Sequence, residues 1–141
     1  MTTLTLEQAR TAIRATFDAG REAGLKPLSA IVLDAGGHVL AFERQDGAAP
    51  GRFTIAHGKA HGAVMLGMPG SAQMDRAESQ HYFMTAMNGA FGGAVVPVPG
   101  GLLIKEGDTV IGALGVTGDT SDNDAAVGLK GLEAAGLTGA A

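Results

Sequence analysis

The fold is best approached from residues 31–44, which read IVLDAGGHVLAFER. Three apolar β-branched or leucine residues open this stretch and are typical of a buried strand. An Ala-Gly-Gly turn follows, because glycine tolerates the positive φ angles of tight hairpins. The second half alternates, with Val39 on one face and Leu40 and Phe42 on the other. The stretch therefore predicts an antiparallel β-hairpin.

Helices are predicted on both sides of this hairpin. Before it, Thr5 and Gln8 form a capping box, and apolar residues at helical spacing lead to a stop at Gly24. After it, a helix is predicted over residues 54–68. Small residues permit close helix packing, and the predicted core stripe of this helix consists of Ala56, Ala60, Ala63 and Gly67.

The C-terminal half repeats the pattern of helix and hairpin. The elements predicted there are a helical stretch that starts near Ser71 and breaks before Asn88, a hairpin of residues 102–105 and 109–117, and a helix that Ser121 and Asp124 cap and Gly136 ends. A fifth strand is expected around residues 94–98, and no ordered structure is expected for the tail, residues 138–141.

This order of elements predicts an α+β fold in one domain spanning residues 1–141. One antiparallel sheet is built from the two hairpins, and the helices pack on its faces. A doubly wound parallel sheet is excluded, because that fold alternates single strands with helices.

Composition excludes several classes of protein. The chain has 141 residues, 23 of them glycine, no cysteine and a net charge of −4. An acidic balance argues against a nucleic-acid partner, which needs a basic face. The lack of cysteine removes disulfides and thiolate metal sites. Neither a signal peptide nor an apolar run of membrane-spanning length is present, so a cytoplasmic protein without a membrane contact is expected.

Two histidines carry the strongest chemical signal. His57 and His61 are four residues apart in a predicted helix, so both rings leave the same face and can reach one metal ion. A zinc protease is excluded, because its motif needs glutamate where this chain has Gly58. Three interpretations stay open: a contact to iron or another ligand, a dedicated zinc site, and a half-exposed helix edge without a ligand. His81 becomes a third ligand only if its helix faces this one.

Further candidates are cations, methionines and glycines. Arg44 and Lys59 are the cations best suited to pair with turn carboxylates or with a ligand carboxylate. Met65 and Met68 follow the histidines and form either ordinary core or a deformable ligand wall. The glycines of Pro99-Gly100-Gly101 can direct backbone amides at an anion. A nucleotide cofactor is not expected, because Gly112, Gly115 and Gly118 lie in a predicted strand rather than in a phosphate-binding turn.

Two glycine-rich blocks resemble the GlcG/HbpS-like haem-binding family, which also includes the C-terminal domain of PduO-type proteins. The first block is LDAGGHVLAF with the following Arg44 and DGA, and the second is PVPGG together with VIGALGVTG and Asp124. Ala56 and the Lys59-Ala60 pair resemble the family's intervening helix. The resemblance implies a profilin-like α-β-α sandwich, assembly into dimers or larger rings, and binding of haem or a related cofactor. Some members degrade haem or sense redox state. His57 and His61 depart from the family pattern.

Two functional hypotheses follow. In the first, the chain binds haem or a small ligand, with His57 or His61 on the iron, Met65 and Met68 along the porphyrin, and Lys59, Arg44 or the amides of Gly100 and Gly101 at the propionates. In the second, it is a small cofactor-independent enzyme that acts on an aromatic or carboxylate-bearing metabolite. His57 or His61 is then the general acid or base. A subunit that assembles without a ligand is the third interpretation.

Overall fold

The structure is a computed structural model that describes residues 3–141. Met1 and Thr2, which belong to the segment searched for a signal peptide, lie outside the described residues. The helices of the described chain are α1 (Leu6–Glu22), α2 (Arg52–Leu66), α3 (Gly70–Ser79), α4 (His81–Ala90) and α5 (Ser121–Ala134). The strands are β1 (Ser29–Asp34), β2 (Val39–Arg44), β3 (Gly101–Glu106), β4 (Thr109–Thr117) and β5 (Thr138–Ala140). They form one antiparallel sheet in the order β2-β1-β4-β3-β5.

The predicted α+β fold, with helices on a sheet built from two hairpins, is confirmed. In the first hairpin β1 pairs with β2, and Ile31 lies opposite Phe42. Gly37 in the turn has a φ of 83°, a conformation that glycine adopts without strain. The hairpins join through β1 and β4, where Ile31 lies opposite Gly115.

Helices cover both faces of the sheet. On one face α1 and α5 pack over a large apolar cluster that includes Ile13, Val32 and Leu114. On the other face α2 packs over a smaller cluster with Ile31, Leu33 and Leu103. The capping box of α1 is present, because the Thr5 hydroxyl accepts the Gln8 backbone N–H and the Gln8 side chain accepts the Thr5 N–H.

Small residues let α2 lie close to the sheet. Ala56, Ala60 and Ala63 are fully buried, as the predicted stripe requires, whereas Gly67 ends the helix in a left-handed conformation with a φ of 65°. A Cβ atom at Gly115 would collide with the Ala56 carbonyl oxygen. This close approach fixes the helix against β4 and turns its other side outward.

Four details of the prediction were wrong. The tail is ordered, because residues 138–140 form edge strand β5, whereas residues 94–98 form a loop. The helical stretch after Ser71 divides at Gln80, which has a φ of −141°. The side-chain cap of α5 is Thr120, which accepts the Asn123 N–H, so the Asp124 side chain does not cap the helix and points inward.

No helix in residues 3–141 is both long enough and apolar enough to cross a membrane.

Candidate functional site

A row of rings follows the outer face of α2. Phe53, His57 and His61 are spaced four residues apart, so their side chains lie above one another on that face. The rings of Phe53 and His57 are stacked with centroids 6.1 Å apart, and those of His57 and His61 are stacked at 5.2 Å. The predicted histidine pair is thus a pair of neighbouring, half-buried rings.

Two phenylalanines from other elements extend this row at its ends. Phe42 of β2 meets Phe53 edge-on with centroids 4.8 Å apart, and Phe91 after α4 meets His61 edge-on at 6.0 Å. We call these five rings the aromatic row: Phe42, Phe53, His57, His61 and Phe91. Phe53 is 43% exposed, so the row presents flat apolar surface to solvent.

His61 is held by the loop that precedes β3. Its Nδ1 atom lies 2.9 Å from the carbonyl oxygen of Ala94. Because a carbonyl only accepts, Nδ1 must carry the proton, and in the neutral ring Nε2 keeps its lone pair. The loop is itself anchored, since Val96 N–H donates to the Gly58 carbonyl and Asn88 donates to the Val95 carbonyl. The arrangement orients one imidazole with a free acceptor nitrogen.

His57 differs from its neighbour in its electrostatics. Partial burial lowers the pKa of His57, and the nearby charge of a protonated His61 lowers it further. The neutral ring is therefore the favoured form near pH 7. Neutral imidazole is both the form that binds metals and the form that acts as a general base.

The predicted methionines take different places. Met65 is one turn beyond His61, and its Cε atom lies directly against Gly37, where a side chain would collide with it. The His61 ring lies near the same glycine, because a Cβ atom there would be 3.5 Å from His61 Cδ2. Met68 lies just beyond the end of α2, where its carbonyl accepts the Gln73 side chain. Only Met65 therefore continues the line of the histidines.

Lys59 lies on the buried side of α2, away from the aromatic row. It is 2% exposed, and its Nζ donates to the Val116 carbonyl at 2.9 Å and to Asp124 Oδ2 at 3.2 Å. Burial lowers the pKa of Lys59 in spite of Asp124, and burial raises the pKa of Asp124 in spite of Lys59. The ammonium is thus engaged inside the protein.

Gly100 and Gly101 pack against the same lysine. A Cβ at Gly100 would come within 2.8 Å of the Lys59 Nζ, and one at Gly101 would collide with the Lys59 carbonyl. The Gly100 carbonyl also accepts the Val116 N–H. These glycines allow close contact between loop and helix in the interior.

Two arginines lie on the elements that carry Phe42 and Phe53. The predicted Arg44 ends β2 and lines a cleft with Phe17, Arg21 and other residues at the edge of the sheet. Arg52 was not predicted: it begins α2, directly before Phe53, and its guanidinium donates to the Thr117 hydroxyl at 2.7 Å. No side chain caps the N-terminus of α2, and its first turn holds no acidic residue.

Some site residues were visible in the sequence and others were not. The spacing of Phe53 before His57 and His61 is a signal that would have found it. Phe42 and Phe91 reach the row only through tertiary packing, which no local pattern reveals. His81 is exposed at the start of α4, where its ring contacts Tyr82. Within residues 3–141, no three His, Asp or Glu side chains are grouped to hold a metal ion.

The fold of this chain is similar to the folds of several solved structures. The fold matches the structure of a PduOC:heme complex with a TM-score of 0.86 and 20% identity, over 96% of this chain and 97% of that one. It matches a double mutant of HbpS from Streptomyces reticuli with a TM-score of 0.79 and 29% identity, over 93% and 86% of the two chains. For protein ORFY of Klebsiella pneumoniae the TM-score is 0.87 and the identity 24%, over 96% and 92%.

The sequence itself gives the family assignment. No functionally curated protein matches it. The family model described as "Haem degrading protein HbpS-like" matches residues 4–133, which include α1, both hairpins and nearly all of α5. The chain therefore belongs to the HbpS-like family.

Proposed function

We propose that this protein binds haem against the aromatic row, with His61 as the ligand of the iron. The observation that carries the proposal is the His61–Ala94 hydrogen bond, which leaves Nε2 unprotonated on an oriented ring. Haem-binding histidines need that tautomer, because one ring nitrogen binds the metal while the other donates to a nearby acceptor. The family's description and the haem complex among the structural relatives support the same ligand.

The residues around His61 suit a flat, mostly apolar group. Phe53, His57 and Phe91 offer ring surface, and Met65 offers a deformable thioether. Two imidazoles are fewer than a structural zinc site uses but enough for haem iron, whose other positions are filled by the porphyrin. Because His57 leaves the same helix face as His61, its ring would lie beside the haem that His61 holds.

The propionates need a cation, and the structure separates the candidates. Arg52 directly precedes Phe53, its guanidinium donates to the Thr117 hydroxyl, and within residues 3–141 it forms no ion pair with a carboxylate. Arg44 is two residues beyond Phe42 on β2 and lines an edge cleft together with residues of α1. Lys59 already has Asp124 as its partner, and Gly100 and Gly101 face the interior. We therefore assign the propionates to Arg44 or Arg52. When bound, haem supplies a redox-active iron centre; the chain's own residues orient it and shield one side from water.

Assembly into a homo-oligomer is part of the proposal. In the part of the chain that the structure describes, the large apolar side chains exposed to solvent are Leu6, Val39, Phe53 and Tyr82. Phe53 belongs to the aromatic row, so a second copy that covers this row would also cover a bound ligand. Light scattering after size exclusion measures the mass, which we expect to be that of a dimer or larger. A cytoplasmic location stays a prediction.

Haemin titration of the apo-protein tests the proposal. We expect a shifted Soret band with saturable binding. In His61→Ala the Kd should be at least about tenfold larger, because loss of even an indirect partner of a metal ligand lowers metal affinity roughly 10–100-fold. His57→Ala should bind with a smaller loss, and His81→Ala, which removes an exposed histidine outside the row, should bind as wild type. An unshifted Soret band, or one that His61→Ala leaves unchanged, would exclude His61 as the ligand.

One observation favours the enzyme as a second candidate. The neutral form of His57 near pH 7 is the form needed for a general base. In that case Arg44 or Arg52 holds a substrate carboxylate and the aromatic row holds its ring. Turnover of aromatic carboxylates by wild type, lost in His57→Ala and His61→Ala, would support this function, and activity that survives both changes would exclude it.

A further inference from the structure

A second candidate site lies on the other side of the first hairpin turn. The turn between β1 and β2 contacts His61 and Met65 of the aromatic row through Gly37. Away from that contact, the same turn borders a cleft of about 410 Å³. Its apolar walls come from Leu4 and from Val110 and Ile111 of β4. A volume in this range holds a small organic molecule.

The polar groups of this cleft come from Asp34 and His38, both of which line it. Asp34 Oδ1 lies 3.1 Å from His38 Nδ1, and Oδ2 lies 3.3 Å from the same nitrogen. Asp34 Oδ1 also accepts the backbone N–H groups of Gly36 and His38, each at 2.9 Å. These hydrogen bonds lower the pKa of Asp34, so it is ionised and acts only as an acceptor.

The carboxylate decides which nitrogen of His38 carries the proton. Because Asp34 can only accept, the neutral ring has its proton on Nδ1 and a free lone pair on Nε2. The His38 side chain is 81% exposed, so Nε2 is accessible to a ligand. The turn is also closed by backbone hydrogen bonds, from the Asp34 N–H to the His38 carbonyl and from the Gly37 N–H to the Asp34 carbonyl. The side-chain pair is therefore an additional feature, and it orients an acceptor.

We propose that this cleft binds a compact apolar molecule with one hydroxyl group, which donates its hydrogen bond to Nε2 of His38. The apolar walls take the body of the molecule, and the Asp34–His38 pair selects for a donor. This site is separate from the aromatic row, since it uses neither His57 nor His61.

The first experiment compares ligands of one shape on the intact protein. 4-Methylphenol and 1,4-dimethylbenzene differ only by a hydroxyl in place of a methyl group. Their Kd values are measured by NMR titration at pH 8, above the range in which imidazole usually titrates. We expect shifts confined to the cleft and roughly 2- to 10-fold tighter binding of the phenol, the usual value of one hydrogen bond. His38→Ala should abolish the preference, and His81→Ala should keep it.

The second experiment converts Nε2 of His38 from a hydrogen-bond acceptor into a donor. In Asp34→Asn, the amide oxygen can keep both backbone N–H groups, which leaves the amide nitrogen to donate to His38 Nδ1. The ring proton then moves to Nε2, which becomes a donor. We expect the ratio of affinities for 4-methylphenol and its methyl ether to fall by roughly 3- to 10-fold, and nitrogen-15 spectra to show the change of tautomer.

Clear results would overturn the proposal. These are no shifts at the cleft, equal affinity for the phenol and the hydrocarbon, or a preference that persists in His38→Ala. If Asp34→Asn does not fold, the comparison of wild type with His38→Ala still tests the proposal. The His38 side chain is exposed, and its removal leaves both backbone N–H groups hydrogen-bonded to the Asp34 carboxylate.

Discussion

His57 and His61 are stacked neighbours, yet the protein treats them differently. The His61 ring is fixed by a backbone carbonyl, whereas burial and the charge of its neighbour act on His57. A second positive charge 5.2 Å away, between ring centroids, makes protonation of both rings unfavourable. The pair therefore provides one oriented acceptor and one ring that resists protonation.

This difference predicts how acid affects stability. The pKa of His57 is lower in the folded protein than its usual value of about 6.5, so the folded state takes up this proton less readily than the unfolded state. The corresponding stability is present above about pH 6.5 and is lost as the pH falls through the lowered folded value. In His57→Phe, which keeps an aromatic ring, Tm should fall less between pH 7.5 and pH 5 than in wild type.

Thermal unfolding followed by circular dichroism measures this effect. His81→Phe is the matched control, because His81 is exposed and lies on a different helix. It should lose as much Tm on acidification as wild type does. An identical loss in His57→Phe and wild type would show that His57 does not resist protonation.

For single residues, the sequence predicted which side chains share a helix face better than it predicted which distant residues they contact. Helical spacing was enough to place His57 and His61 on one face, because the helix itself fixes that geometry. Lys59 also lies on α2, but the side it faces depends on how the helix packs on the sheet. Its partner Asp124 is 65 residues away in the chain and had been interpreted as a cap. Long-range pairing of this kind has no local signal.

Among the elements, β5 was the least visible in the sequence. Of its three residues only Thr138 favours strands, whereas Gly139 and Ala140 are depleted in them. They form a strand because β3 would otherwise be the edge of the sheet, and because the end of α5 brings the tail next to β3. Leu103 pairs with Ala140, and the backbone of Gly139 packs against Leu132 of α5. The neighbouring elements, rather than the sequence of the tail, supply the reason to be ordered.

Removal of this strand should be costly. Deletion of residues 138–141 exposes the N–H and C=O groups along the β3 edge and uncovers Leu103, which is 2% exposed in the intact chain. We expect a loss of roughly 1–3 kcal/mol in the free energy of unfolding, from lost hydrogen bonds and apolar burial. Aggregation should also increase, because an open edge can pair with another chain.

Urea unfolding and light scattering check this prediction. Deletion of Ala141 alone is the control, since it leaves β5 complete. If the longer deletion had the same urea midpoint as that control, β5 would contribute nothing to stability.

For the whole molecule, the order of helices and strands was predicted from the sequence. The contact that joins the helices on one face of the sheet to those on the other face was not. Turn glycines and apolar runs located both hairpins and the helices around them. The contact between the two helical layers is polar: Lys59 of α2 reaches Asp124 of α5, beside the end of β4. Asp124 also accepts the Asp119 N–H through its second oxygen. One buried pair thereby joins α2, α5 and the loop between β4 and α5.

A double-mutant cycle on this pair measures its part in holding the layers together. Both side chains are almost fully buried, at 2% and 1% exposure, so a single change leaves an uncompensated charge inside the protein. We expect Lys59→Met to cost about 3–5 kcal/mol in the free energy of unfolding. Asp124→Asn should cost a similar amount, although its amide oxygen can keep the Asp119 N–H. The double variant should be more stable than either single variant, because no charge is then left without a partner. Additive costs in urea unfolding would mean that Lys59 and Asp124 are not coupled, and the layers would then be held by apolar packing alone.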